Sequence, residues 1–394
     1  MIRGVWFILT FVSLNAFSQQ LQIGIMRGYH ITSFQISYLS GQYEIRNDTA
    51  LICEMKLDDK LIFKRSDSLI QLSKNGISVG SYQKIYVSQK KKNSSFGIQC
   101  LTPVNKKARK YMDNLIIQIE GNYNLKVINE VESANYLAGV IESEGGGGKH
   151  IEYYKVQAIL SRTYALDHLN KHQKDGFQLC DEVHCQSYLN MMRLTPTIND
   201  AVKSTEGIVM IGSNLKLADG FFFANCGGQT SESDFVWNIS VPYCKSIRDT
   251  FCIHSKQATW EKRIPKSTWE KYLLSEFGYP ISDSIYGPMM YHFNQVSRDA
   301  FFVSPHLGIP LRDLRVEFGL KSTWFSCHLS GNEIVLNGKG FGHGVGLCQE
   351  GAMRMAQFGY NYEQILKFYF TGIELINYYQ LLFYNQRIRD EYRL

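Results

Sequence analysis

The chain has 394 residues, of which 44% are hydrophobic and 20% charged. That composition excludes a disordered polymer and leaves room for two or three domains. The net charge of +6 suits an acidic polymer but is far from the dense basic face of a nucleic-acid binder, and no nucleic-acid partner is expected. The only basic run, QKKKNSS (Gln89–Ser95), reads as a solvated turn.

Residues 1–18 read as a signal peptide. Arg3 gives a positive start, Val5–Val12 an apolar stretch too short to span a bilayer, and Ala16-Phe17-Ser18 a small-x-small cleavage site. The mature protein is therefore expected outside the cytoplasm, periplasmic or extracellular, with no membrane span. Nine cysteines stand at 53, 100, 180, 185, 226, 244, 252, 327 and 348. In an oxidising compartment some should pair, and the odd number leaves one over. Cys244 and Cys252 bracket a short loop and are the first disulfide candidate.

Residues 19–119 read as a β-rich region. Short strands such as LQIGIM, SFQISYL, YEIRN, LIFKR, SLIQLS, GISVG, KIYVS and LIIQIEG are broken at close intervals by turn residues. The 24 Tyr and 23 Phe fit a strand-rich core. Next comes VIESEGGGGKH (Val140–His150), two glutamates followed by four glycines. It is no phosphate loop, because Ser143 stands where the first Gly belongs and His150 where a hydroxyl belongs. A linker and the lip of an active site both remain open.

Helical periodicity starts after the glycines. Val156, Ile159, Leu160, Thr163 and Leu166 give Ile151–Lys171 one buried face, with Lys155 and Arg162 on another. GIVMIG and KLADGFFFANCGG read as a strand pair and STWEKYLLSEFG as a second helix. Asn361 with Gln364 forms a capping box before the stripe Tyr362, Ile365, Leu366, Tyr369 and Phe370, which Gly372 ends.

Three stretches carry chemistry. GKGFGHGVGLCQEGA (Gly338–Ala352) leaves the His343 imidazole between glycines, as a binding or catalytic residue would need. In FANCGGQTSESDFVW, Cys226 sits at a strand end before a Gly-Gly turn, as a nucleophile with His343, a buried thiol or half of a disulfide. In GFQLCDEVHCQSY, Cys180, His184 and Cys185, with His172 just before, have the spacing of a zinc site; a Cys180–Cys185 disulfide is the rival.

Taken together the motifs resemble the stage II sporulation protein D family, also called SpoIID/LytB. Tyr136, Leu137, Gly139, Val140, Ile141 and Glu144 match its Tyr-Leu-x-Gly-Val-Val…Glu pattern. Lys155, Gln157, Ala158, Arg162, Thr163, Tyr164 and Ala165 match its helix, and LCDEVHCQSY, NCGGQT…VW and GFGHGVGLCQEGA follow in family order. One departure is local: Gly145–Gly148 replaces the Met-Pro and Trp-Pro usual between the Glu and the helix.

The resemblance implies an α+β fold, with a β-rich N-terminal region packed on a mixed α/β catalytic domain over 120–394. It implies a lytic transglycosylase acting on peptidoglycan glycan strands, those stripped of stem peptides. One carboxyl suffices there, because the muramic acid C6 hydroxyl is the internal nucleophile. Glu144 is the family position. Glu142 is its competitor, since on a strand both would share a face. Lys155 and Arg162 would hold the muramic carboxylate or the developing charge. Tyr164, Cys226, Gln229, His343 and Gln349 would line the cleft. No cofactor is required; the spacing of His172, Cys180, His184 and Cys185 leaves a structural zinc and a Cys180–Cys185 disulfide both open. The rivals are an amidase enhancer, which binds wall and assists a cell-wall amidase, and a Cys226–His343 hydrolase of wall peptides.

Overall fold

The computed structural model describes residues 20–122, 124–189 and 195–383. The expected signal peptide, residues 1–18, lies outside the described residues. The fold is α+β, divided into two units: residues 1–139 with 170–192, and residues 140–169 with 193–394.

The first unit is built from β1 (Gln20–Ile25), β2 (Ser33–Ser40), β3 (Tyr43–Arg46), β4 (Leu51–Met55), β5 (Lys60–Ser66), β6 (Leu69–Lys74), β7 (Ile77–Tyr82), β8 (Lys84–Gln89), β9 (Ser95–Thr102), β10 (Arg109–Met112), β11 (Asn114–Glu120) and β12 (Asn124–Glu132). After an excursion through the second unit the chain returns and adds β13 (Leu179–Cys180), parallel to β1. One sheet runs β13, β1, β12, β11, β8, β3, β4; the other runs β10, β9, β2, β5, β6, β7. Alternate side chains point inward: Leu61 and Phe63 on β5, Ile70 and Leu72 on β6, and Ile85 and Val87 on β8 are all fully buried. The abundant aromatics join this core. Tyr43, Phe96, Tyr111, Tyr188 and Tyr136 form a chain of ring contacts with centroids 5.1–6.3 Å apart. β4, β9 and β10 were not among the strands expected.

The second unit contains most of the helices. α1 (Ser133–Gly145) crosses the unit boundary, and α2 (Ile151–Asp167) follows the glycine turn. Then come α3 (Pro196–Ser204), β14 (Ile208–Ile211), β15 (Phe222–Phe223), α4 (Asp234–Trp237), β16 (Thr259–Pro265), α5 (Lys266–Phe277), α6 (Tyr286–Met289), α7 (Leu311–Glu317), β17 (Phe325–Ser330), β18 (Glu333–Lys339), β19 (Leu347–Cys348), α8 (Gln349–Gln357), α9 (Tyr362–Tyr369) and β20 (Glu374–Asn377). α2 is a core helix, with Tyr153, Val156, Gln157, Ile159, Leu160, Ser161 and Thr163 all buried, packed on α3, β14, α8 and α9. A separate aromatic cluster around Trp260, Trp269, Phe302 and Phe325 fills the space between α5, α7 and the β16–β18–β17 sheet.

Two local expectations are corrected. GIVMIG and KLADGFFFANCGG pair only briefly, through an antiparallel bridge between Ile211 and Leu217; β14 pairs mainly with β20, antiparallel, and β15 pairs parallel with β19. The glutamates stand on a helix rather than a strand. α1 is buried on nearly every side from Tyr136 to Ile141, so its sequence shows no amphipathic period.

Candidate active site

α1 ends at Gly145 and the four-glycine turn carries the chain into α2. The turn is pinned. The Tyr154 hydroxyl donates to the Gly146 carbonyl at 2.9 Å and accepts from the Lys149 amide at 2.9 Å. His150 caps α2 by accepting from the Glu152 amide at 3.3 Å. Gly146 takes φ +64°, a left-handed value that Gly adopts without cost.

This turn sets Glu144 beside Tyr153 of α2. The Tyr153 ring packs so closely on the helix end that a Cβ at Gly145 would lie 3.1 Å from it. Burial pushes the Tyr153 phenol far above its ordinary range, and the negative charge of Glu144 pushes the same way. The Tyr153 hydroxyl and the Gln349 side-chain amide nitrogen are both buried and face each other, but their contact falls short of a well-formed hydrogen bond. One and two turns along α2, the polar atoms of Gln157 and Ser161 are buried without partners among the described residues. Buried polar groups usually find partners, so this stripe beside a half-buried carboxyl is chemically distinctive. Glu142 lies on a different side of α1, because residues two apart on a helix are separated by roughly 200°.

The two basic candidates of α2 are committed elsewhere. The Lys155 ammonium pairs with Glu152 at 2.7 Å and stands 5.7 Å from the centre of the Tyr362 ring. The other Glu152 oxygen accepts from the Tyr362 amide at 2.8 Å, so this pair ties α2 to the start of α9. Arg162 donates to the Ile208 carbonyl at 3.0 Å and the Val202 carbonyl at 3.3 Å, and burial pulls its guanidinium down to about 10. Tyr164 stacks on His168 at 4.2 Å.

The glycine-rich loop packs backbone against backbone. A Cβ at Gly346 would fall 2.3 Å from the Phe221 carbonyl oxygen, and one at Gly340 would fall 2.6 Å from that of Asn225; both take positive φ. His343 is held neutral between two partners. Its Nε2 donates to the Phe222 carbonyl at 3.0 Å, and its Nδ1 accepts from the Val345 amide at 3.1 Å. Burial draws its pKa down to about 4. Cys226 faces other groups: its Sγ lies 3.2 Å from that of Cys252 and 3.3 Å from an Asp249 carboxylate oxygen. Gln229 donates to the Ser246 hydroxyl at 2.9 Å. Cys244 is a free buried thiol, which corrects the expected Cys244–Cys252 disulfide.

In the first unit, His172, Cys180, His184 and Cys185 come together, with one ligand atom from each all within 4.8 Å of one another. The His184 Nδ1 lies 3.8 Å from the Cys180 sulfur and 3.9 Å from the Cys185 sulfur, and both thiols are free. These spacings suit tetrahedral zinc, whose ligand atoms lie roughly 3.3–3.8 Å apart. The His172 Nδ1 is bonded to the Asp175 carboxylate at 2.7 Å, while its Nε2 is buried without a partner among the described residues. A carboxylate behind the ring and an open inner nitrogen is the usual dress of a metal-binding histidine. Asp181 fixes this loop: it accepts from the Met26 amide at 2.5 Å and pairs with Arg109 at 2.6 Å.

Tyr153, Asp249 and the meeting of Cys252 with Cys348 were not singled out in the sequence. Tyr153 left a faint signal, a tyrosine pair directly before Lys155. Asp249 left none.

Residues 121–211 match the family model SpoIID, Stage II sporulation protein. An uncharacterized protein of Brachyspira hyodysenteriae is 28% identical over 265 residues, covering 65% of this chain and 70% of its own. Stage II sporulation protein D of Bacillus subtilis is 27% identical over 270 residues, covering 63% of this chain and 75% of its own. The amidase enhancer of the same species is 27% identical over 292 residues, which is 61% of this chain but only 40% of that protein.

Proposed function

This chain carries a domain of the SpoIID/LytB family, and from that premise we propose that it is a lytic transglycosylase of peptidoglycan glycan strands with Glu144 as its single acid and base. The observation that carries the reading is the Glu144 carboxyl at the end of α1, beside the buried Tyr153 hydroxyl, whose contact with Gln349 is not a well-formed hydrogen bond. Such groups are poised for a polar ligand whose hydroxyls supply the missing bonds.

In the first step Glu144 gives its proton to the glycosidic oxygen leaving C1 of N-acetylmuramic acid, and the N-acetylglucosamine-bearing strand departs. The carboxylate then takes the proton of the muramic C6 hydroxyl as that oxygen bonds to C1. The product is a 1,6-anhydro ring, no water is consumed, and the acid is regenerated. Tyr153 and Gln349 orient the carboxyl and the sugar. His343, neutral and doubly bonded, shapes the loop next to Gln349. Zinc at His172, Cys180, His184 and Cys185 would act structurally, bracing the β13 loop. Export to the cell wall belongs to the same reading. Among the described residues no helix is long and apolar enough to cross a membrane.

The test is to incubate the protein with purified glycan strands, peptide-free and peptide-bearing, and to identify products by mass spectrometry. Anhydro-muramic ends, lost in Glu144→Gln, are the expected outcome. Reducing ends would instead mean hydrolysis with a second carboxylate. The likeness to an amidase enhancer supports a second reading, in which the chain binds wall and stimulates an amidase. That activity would survive Glu144→Gln.

A further inference from the structure

Cys226, Asp249, Cys252 and Cys348 place four ligand atoms within 4.8 Å of one another in the second unit, and all four residues are buried. They come from three separate segments: the loop after β15, the 249–252 turn, and the residue that caps α8. Tetrahedral zinc with sulfur at about 2.3 Å puts its sulfurs roughly 3.8 Å apart, so the cluster needs only small adjustments to close around an ion. We propose that these four residues form a second, structural zinc site of the three-thiolate, one-carboxylate type, distinct from the His172 cluster and independent of the transglycosylase reading.

The surroundings support this. The Cys348 sulfur accepts from the Cys226 amide at 3.3 Å and the Gly351 amide at 3.4 Å, and the Cys226 sulfur accepts from the Gly228 amide at 3.4 Å. Backbone donors aimed at sulfur stabilise thiolates and orient them as metal ligands. The Asp249 carboxylate is oriented by the Tyr369 hydroxyl, which donates to Oδ2 at 2.8 Å, and by the Phe251 amide, which donates to Oδ1 at 2.8 Å. Three thiolates and a carboxylate carry four negative charges. Arg298, itself buried and bonded to the Cys226 carbonyl at 2.8 Å, offsets one of them. A buried cluster of that charge otherwise has to stay protonated. A sulfur-rich, closed, four-donor set selects zinc over the hard cations. The reactive-thiol reading of Cys226 gives way to a structural one. The ion would staple three segments together and, through Cys348, hold the neighbouring Gln349 in place.

The test counts metal in the purified full-length protein. Mass spectrometry of the parent should find about one more zinc per chain than in Asp249→Asn or Cys348→Ser. A parent and variants with equal zinc would overturn the proposal. Zinc-edge X-ray absorption of the parent needs no variant to fold. It should report more than about two sulfurs per zinc on average, whereas two or fewer would leave only the two-cysteine His172 cluster loaded and sink the second site. A Cys226–Cys252 disulfide in a non-reduced peptide map of the protein as isolated would also overturn it.

Discussion

Tyr153 is buried, its hydroxyl meets the Gln349 amide without a well-formed hydrogen bond, and it sits beside Glu144. Removing an unsatisfied buried hydroxyl is close to neutral or stabilises by up to about 1 kcal/mol. Tyr153→Phe should therefore leave the melting temperature unchanged or slightly raised, while glycan cleavage falls about tenfold or more. Unchanged turnover would make Tyr153 a packing residue only. His343 makes the opposite case, a histidine whose polar atoms are all used. Its folded pKa of about 4 lies below its ordinary value of 6.5. The unfolded chain thus takes up a proton first as pH falls. The associated stability is intact above about pH 6.5 and is lost progressively toward pH 4. An NMR titration should find the His343 ring neutral at pH 5.5; a midpoint near 6.5 would contradict this.

At the scale of elements, the glycine-rich loop was legible as unusual, but its reason was not. The glycines flanking His343 looked like exposure of an imidazole. Another glycine of the same loop serves close backbone packing: Gly346 stands against the Phe221 carbonyl at φ +77°. Gly346→Ala combines a backbone clash with left-handed strain, and should cost on the order of 3 kcal/mol or leave the protein insoluble. Urea unfolding measures this, and a loss below about 1 kcal/mol would refute the packing argument. The capping box at Asn361 and Gln364 was readable because both halves of that motif lie within four residues, and it is present. α2 was readable for a related reason, a clear apolar stripe, although it stops at Asp167 rather than Lys171. α1 was not, since a helix buried all round has no stripe to read.

For the molecule as a whole, local pattern determined a good deal. It determined most strands of the N-terminal sheets, the α2 helix, and the membership of His172, Cys180, His184 and Cys185 in one cluster. Each of these rests on period, spacing or turn chemistry within some twenty residues. The chain's path between units was beyond such reading. It leaves the first unit inside α1, and returns over residues 170–192 to add β13 beside β1. No local period records a strand that completes a sheet begun some 150 residues earlier. The company kept by each site residue was equally hidden. Lys155 and Arg162 share a helix with Tyr153, yet packing assigned the first to Glu152 and the second to backbone carbonyls. Cys226 and Cys348 meet because β15 and β19 pair in parallel and bring their ends together, and the bond from the Asp249 amide to the Gly228 carbonyl brings the turn of Asp249 and Cys252 to them. Sequence by itself determined which chemical groups this protein owns and which local elements carry them. Only the tertiary structure decided which of those groups face one another, because partnership depends on burial and on contacts between segments that local pattern does not connect.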